Sequence, residues 1–208
     1  MLARYSSIFS ALVLLFIATA AVEQFQLSGV VVILSFLLVA VSGVYVASGS
    51  KKWARVSIAA ATLWILLMGL HNRLGTYGLL TASSVGGILY IGLTVRIMLR
   101  HIFRSRQVHA DLLFGAAAVY LMFALLWTFI YSAIEELTPG AFGSVDQSFF
   151  ALLYFSLTTL TTLGYGDIVP KVPLAQIAAV LESAVGVLYT GIMVARLLGL
   201  HISERSEN

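Results

Sequence analysis

Long apolar runs separated by short charged clusters organise this chain from end to end. A helix that crosses a bilayer needs about 20 mostly apolar residues. Six runs qualify: Ser7–Val22, Leu27–Ala47, Val56–Leu70, Gly78–Leu99, Leu112–Ile134 and Leu174–Leu200. A seventh, Gln147–Leu160, is too short to span and stops against a glycine-rich segment. Helices that end inside a membrane are tolerated only where protein or a water-filled cavity surrounds them, so this stretch predicts a re-entrant helix. The pattern predicts an all-α polytopic membrane protein. Four N-terminal transmembrane helices come first, followed by an outer helix, a re-entrant helix, the glycine-rich segment and an inner helix.

Composition agrees: of 208 residues, 60% are apolar and 10% charged, a profile foreign to soluble domains. The absence of cysteine excludes disulfides and thiolate metal sites. The four histidines are scattered without metal-ligand spacing, and no triad or nucleotide loop implies an enzyme or a cofactor. The net charge of +3 does not point to nucleic acid, because the basic residues lie between apolar runs. With both termini in the cytoplasm, Arg4, Lys51, Lys52, Arg55, Arg96, Arg100, Arg104, Arg106, Arg196 and Arg205 fall inside, and only Arg73 and Lys171 outside. That asymmetry sets the orientation. Glu135, Glu136, Asp146 and Asp167 then gather at the outer face, where acidic groups would concentrate cations. Arg4, the run behind it and Ala18-Thr19-Ala20 also have the layout of a cleavable signal peptide, whose loss would leave five helices. The basic stretch Arg100–His109 divides the chain into a four-helix unit, residues 1–106, and a second unit, residues 107–208. The eight residues after Leu200 predict no cytoplasmic ligand-binding domain.

The chemistry concentrates in Thr161-Thr162-Leu163-Gly164-Tyr165-Gly166-Asp167. Glycines at 164 and 166 permit backbone angles that other residues resist, so successive carbonyls can point one way. The segment resembles the selectivity filter of tetrameric pore-loop potassium channels, whose common form is Thr-Thr-Val-Gly-Tyr-Gly-Asp; only Leu163 departs from it. The resemblance covers Leu112–Leu200 and implies K+ bound by the carbonyls of Thr162, Leu163, Gly164 and Tyr165, with the Thr162 hydroxyl at the innermost site. It also implies that Gly166 ends the filter and that the Tyr165 ring turns away from the ion. Thr161, Asp167, Tyr154 and Thr158 would support the filter from behind, with Tyr154 bonded to Asp167. Some relatives carry a glutamate where Thr158 stands, so a Glu–Asp pair behind the filter is not expected. Gly186, nineteen residues after Asp167, matches the inner-helix hinge glycine. At 100° per residue, Val187, Thr190 and Val194 share one face, predicted to line the central cavity.

Helix count alone would suggest a voltage sensor. Arg96, Arg100 and Arg104 are confined to the cytoplasmic end of the fourth helix, and the second and third helices hold no Asp or Glu to pair with them. They read as topology anchors and not as gating charges. Glu182 is the one carboxyl group deep in a spanning helix and lies about 110° from the Val187 face, toward the re-entrant helix or a neighbouring subunit. Thr158, Thr159 and Ser183 are its candidate partners, and modulation of filter gating is the functional alternative. His101, His109 and His201 at the inner face read as solvated groups, Trp53 as an interfacial anchor, and Gly86-Gly87 as a close helix contact.

The leading reading is a potassium-selective channel. One filter strand per chain cannot enclose an ion, which requires a homotetramer in the lipid bilayer of the plasma membrane. The lack of cysteine and the single-unit design point to a prokaryotic source. K+ is the permeant ion and no cofactor is implied. Two other readings use the same motif: a potassium transporter of the pore-loop type, and a non-conducting regulatory membrane subunit.

Overall fold

The computed structural model describes residues 4–74, 77–105, 107, 109–143 and 148–206, and every regular element among them is helical. In chain order these are α1 (Arg4–Phe25), α2 (Val30–Ala47), α3 (Lys51–Leu74), α4 (Tyr77–Arg104), α5 (Ala110–Leu137), α6 (Phe149–Leu160) and α7 (Pro173–Ser206). All but α6 are long and apolar enough to cross a membrane. At 1.5 Å per residue, the 12 residues of α6 reach only about 18 Å. The protein is a polytopic all-α membrane protein with one short apolar helix between its last two spans.

Several helices outrun their apolar segments. α1 extends beyond Ser7–Val22 at both ends, and α3 runs from Lys51 to Leu74 where the apolar run covers only Val56–Leu70. A backbone entering hydrocarbon must already satisfy its own hydrogen bonds, and long basic side chains can continue the helix while their heads reach water. Gln147 and Asp146 lie outside the described residues, as do Arg106 and the side chains of Arg73, His201 and Arg205.

An aromatic cluster joins the first helices to α5. Phe36 of α2 meets Trp64 of α3 edge-on with centroids 5.3 Å apart, Trp64 stacks on Tyr90 of α4 at 5.3 Å, and Phe129 of α5 packs against both Phe36 and Trp64. Phe149, the first residue of α6, closes the cluster against Phe36 and Phe129. Such ring pairs add about 0.5–1.5 kcal/mol each beyond the area they bury. Thus α1–α4 pack on the α5 of their own chain. Gly86 lets α4 approach Trp64, and Gly87 lies against the Phe129 ring.

One end of the bundle gathers the basic residues. The Asp111 carboxylate at the start of α5 accepts from the backbone N–H groups of Tyr5 and Ser6, each at 3.1 Å, and so caps α1. Arg4 stands over the Tyr45 ring at 5.4 Å and Arg96 over Trp53 at 5.8 Å. At the other end the acidic residues serve the fold. Glu135 accepts from the Gly140 N–H at 2.7 Å and the Phe142 N–H at 3.1 Å, and Glu136 accepts from the Thr81 hydroxyl. Both glutamates are half-buried, one closing a turn and one tying α5 to α4.

Gly43 of α2 is the tightest contact of this half. A Cβ there would lie 2.2 Å from the Tyr90 hydroxyl, which donates to the Ala40 carbonyl at 2.6 Å. Gly43→Ala is expected to destabilise the detergent-solubilised protein by about 1–3 kcal/mol, read as a lower thermal unfolding midpoint. In a double-mutant cycle, Tyr90→Phe should recover part of that loss by removing the clashing oxygen.

Candidate functional site

α6 is built to enter the protein from one side and stop inside it. Ser148 caps it, its hydroxyl accepting from the Ala151 N–H at 3.2 Å. The far end carries carbonyls that no later turn can satisfy, and other groups meet them. The Thr158 carbonyl accepts from Leu163 N–H at 2.8 Å and Gly164 N–H at 3.2 Å, and the Thr159 carbonyl from Thr162 N–H at 3.0 Å. The Tyr120 hydroxyl of α5 donates to the Leu160 carbonyl at 3.1 Å. The glycine-rich segment is thereby folded back on the helix that delivers it.

The segment has an alternating backbone. Thr162, Gly164 and Gly166 have φ of 59°, 54° and 79°, while Leu163 and Tyr165 between them have none in that region. In an ordinary extended strand successive carbonyls point to opposite sides; reversing the sign of φ at every second residue turns them to the same side. A left-handed conformation costs a side-chain-bearing residue about 1–2 kcal/mol, a cost absent at glycine. Thr162 alone carries it, two residues beyond the end of α6.

The strand is open on the surface of the single chain: Leu163 is 57% and Tyr165 67% exposed. The Tyr165 ring lies parallel to that of Tyr154, with centroids 6.3 Å apart. Asp167 is the acidic neighbour of Tyr154. Thr158 bonds locally, its hydroxyl donating to the Phe155 carbonyl at 3.0 Å, and Thr161 likewise to Leu157 at 2.7 Å. Beyond the strand, the Lys171 N–H donates to the Ala141 carbonyl at 2.7 Å, anchoring the return to the loop after α5. Behind it Tyr131, Phe142 and Phe155 form a ring triad with centroids 5.0–5.3 Å apart.

On the other side of the strand's start, a recess of about 340 Å³ is bounded by Thr161, Thr162, Gly186, Val187 and Thr190, among others. Val187 and Val194 are exposed on this single chain, at 57% and 52%. Thr190 turns its hydroxyl back to the Gly186 carbonyl at 2.9 Å. Gly186 itself is a point of contact: a Cβ there would lie 2.2 Å from the Leu160 oxygen. α7 runs unbroken through this position. Its glycine admits the carbonyl end of α6, a packing reason the sequence spacing did not reveal.

Glu182 faces away from the recess and is fully buried. Its partners are Tyr131 of α5, whose hydroxyl bonds one carboxyl oxygen, and Ser156 of α6, which bonds the other. Thr158, Thr159 and Ser183 do not hold it, which corrects the partners expected from sequence. Tyr131 is 51 residues away in the chain and Ser156 is 26, so neither stood out beforehand. Ser156 has one hydroxyl proton and two acceptors in reach, Glu182 and the Ala124 carbonyl at 2.8 Å. All of these bonds are satisfied when the carboxyl group carries a proton, donates to Ser156 and lets Ser156 donate to Ala124.

A second tie joins α7 to the end of α4. The Arg196 guanidinium donates to the carbonyls of Ile102, Phe103 and Ser105, at 3.2, 2.7 and 2.9 Å, and lies over the Phe103 ring. It satisfies the terminal carbonyls of a helix from the residue of another. Sequence reading assigned Arg196 only to the topology signal.

Residues 113–200 match the family described as Ion channel. The chain is also similar to the voltage-gated potassium channel regulatory subunit KCNF1 of Rattus norvegicus, Mus musculus and Homo sapiens, 35% identical over 80 residues in each case. The match takes in 36% of this chain and 15% of each relative, so the chain spans a small part of those proteins' length. No solved structure matches.

Two substitutions test the packing. Gly186→Ala drives a methyl group into Leu160 and is expected to lower the unfolding midpoint by an amount equivalent to about 1–3 kcal/mol. Glu182→Gln keeps one acceptor for Tyr131 and one donor for Ser156 and should unfold near the wild-type temperature. Glu182→Ala leaves the Tyr131 hydroxyl without a partner, while Ser156 keeps the Ala124 carbonyl, and should cost about 1–3 kcal/mol. Equal loss in both Glu182 variants, followed by thermal melts, would refute the proton-carrying arrangement.

Proposed function

We propose that this chain, a member of the pore-loop potassium channel superfamily, conducts K+ passively through a filter to which four copies each contribute one strand. The observation that carries this reading is the alternation of positive φ at Thr162, Gly164 and Gly166 in a strand with one face left open. One strand offers a row of carbonyls; an ion stripped of water needs a ring of them. Four strands around an axis make that ring from Thr162, Leu163, Gly164 and Tyr165, with the Thr162 hydroxyl below. Ions advance by mutual displacement between adjacent sites. Below the filter, Val187, Thr190 and Val194 line the cavity, where the C-terminal ends of the α6 helices favour a cation electrostatically. Asp167, Tyr154, Thr161 and Thr158 brace the strand from behind. Glu182, bonded to both the outer helix and α6, is the residue through which the brace would be modulated. In this reading the protein lies in a prokaryotic plasma membrane with both termini cytoplasmic.

A second reading draws on a specific likeness. The relatives above are named regulatory subunits, and a chain of that kind would not conduct alone. Conduction by the purified protein discriminates between the two. In planar bilayers with K+ on one side and Na+ on the other, the reversal potential should lie near the K+ equilibrium value. Gly164→Ala, which places a side chain at φ 54°, should abolish that selectivity. A reversal near zero in the wild type would contradict the selective filter, and no current at any voltage or pH would favour the regulatory reading.

A further inference from the structure

Between the α2–α3 turn and the last turns of α4 lies a recess of about 220 Å³, lined by Ser50, Trp53, Arg96, Arg100, His101 and Arg104. Three guanidinium groups share it. Among the described residues, no carboxylate forms an ion pair with any of them, and Arg96 is engaged only by the Trp53 ring. His101 meets the fields of Arg4, Arg100 and Arg104 together. Like charges held this close in a partly enclosed space repel each other, and an anion among them relieves the repulsion. Ser50 and Trp53 bracket the first turn of α3, whose N–H groups have no acceptor within their own helix. They add a positive helix end to the same recess.

Topology alone does not require this arrangement. Anchoring arginines need only reach water at one membrane face, and nothing makes them converge on one cavity with a tryptophan for a wall. The recess also opens beside lipid. It lies between two membrane-crossing helices, and Val56, one turn along α3 from Trp53, is exposed. Basic pockets between transmembrane helices at the positively charged face suit anionic headgroups, with acyl chains lying on the neighbouring apolar surface.

We propose that this recess binds the headgroup phosphate of an anionic glycerophospholipid from the adjacent leaflet, held by Arg96, Arg100 and Arg104. Arginine suits the task because its planar fork can bond two phosphate oxygens at once. Binding here involves none of the residues of the filter, so it stands or falls apart from the conduction reading.

Native mass spectrometry of the purified full chain tests it. The detergent-solubilised protein is titrated separately with phosphatidylglycerol, phosphatidylcholine and inorganic phosphate. The wild type is expected to retain phosphatidylglycerol at least tenfold better than phosphatidylcholine. Each arginine near an anionic surface contributes about fivefold, so Arg100→Gln with Arg104→Gln should weaken phosphatidylglycerol binding by about 25-fold. Lys52→Gln with Arg55→Gln removes equal charge from exposed positions outside the recess and should change binding by less than about twofold. Equal losses in the two double variants would reduce the site to a diffuse basic surface and overturn the proposal. So would equal retention of the two lipids by the wild type, a comparison that requires no variant to fold. Inorganic phosphate binding as tightly as the lipid would assign the recess to a soluble anion and also overturn it.

Discussion

The carbonyl end of a helix that stops inside a membrane has no water to turn to, and much of the second half of this protein follows from that constraint. α6 ends after 12 residues with its last carbonyls unsatisfied by its own turns. Three groups meet them: the glycine-rich strand folds back onto Thr158 and Thr159, Tyr120 reaches across to Leu160, and Gly186 lets α7 press against the same oxygen. A larger residue at 186 would hold the inner helix away, and the strand would lose the platform on which its alternating backbone rests. The short helix, the glycine in α7 and the tyrosine in α5 are therefore parts of one solution.

The body of α6 is held by different means. Near its midpoint Ser156 meets Glu182 of α7, and Tyr131 of α5 meets the same carboxyl group. All three helices thus share one polar junction whose geometry is directional. Behind the strand, the Tyr131, Phe142 and Phe155 rings fill space without direction. The combination explains how an exposed strand with little packing of its own can keep a single backbone course. Hydrogen bonds set the orientation of its supports, and aromatic volume prevents their collapse.

What could be read in the sequence divides along the range of the interactions. The spans were legible because hydropathy is local, and the unusual backbone of the glycine-rich strand was legible because glycine at 164 and 166 is a local conformational signal. The helix ends were less so: α3 begins at Lys51 and not at Val56, since basic residues can extend a helix beyond its apolar stretch. Partners were not legible. Glu182 offered a carboxyl group needing company, and nearby threonines were the natural candidates; the residues that hold it come from two other helices. Glu135 and Glu136 carried a similar ambiguity, because a carboxylate that closes a turn and one that faces an open mouth look alike in a sequence.

Arginine in this chain has consequences beyond orientation. Positive residues collect at one face of a membrane protein for reasons of insertion, and here that face has few acids in reach. Asp111 is committed to the backbone of α1. Each cation must then find another form of negative charge. Arg196 finds backbone carbonyls at the end of α4, Arg4 and Arg96 find aromatic faces, and Arg100 and Arg104 share a recess in which no carboxylate among the described residues pairs with them. Carbonyls and ring quadrupoles carry only partial charge, so these pairings leave the face strongly positive. The Arg196 tie makes that surplus relevant to the inner helix. The segment that carries the shared recess is the one whose terminal carbonyls α7 holds. An anion that draws Arg100 and Arg104 together acts on the α4 turn next to the Arg196 contacts.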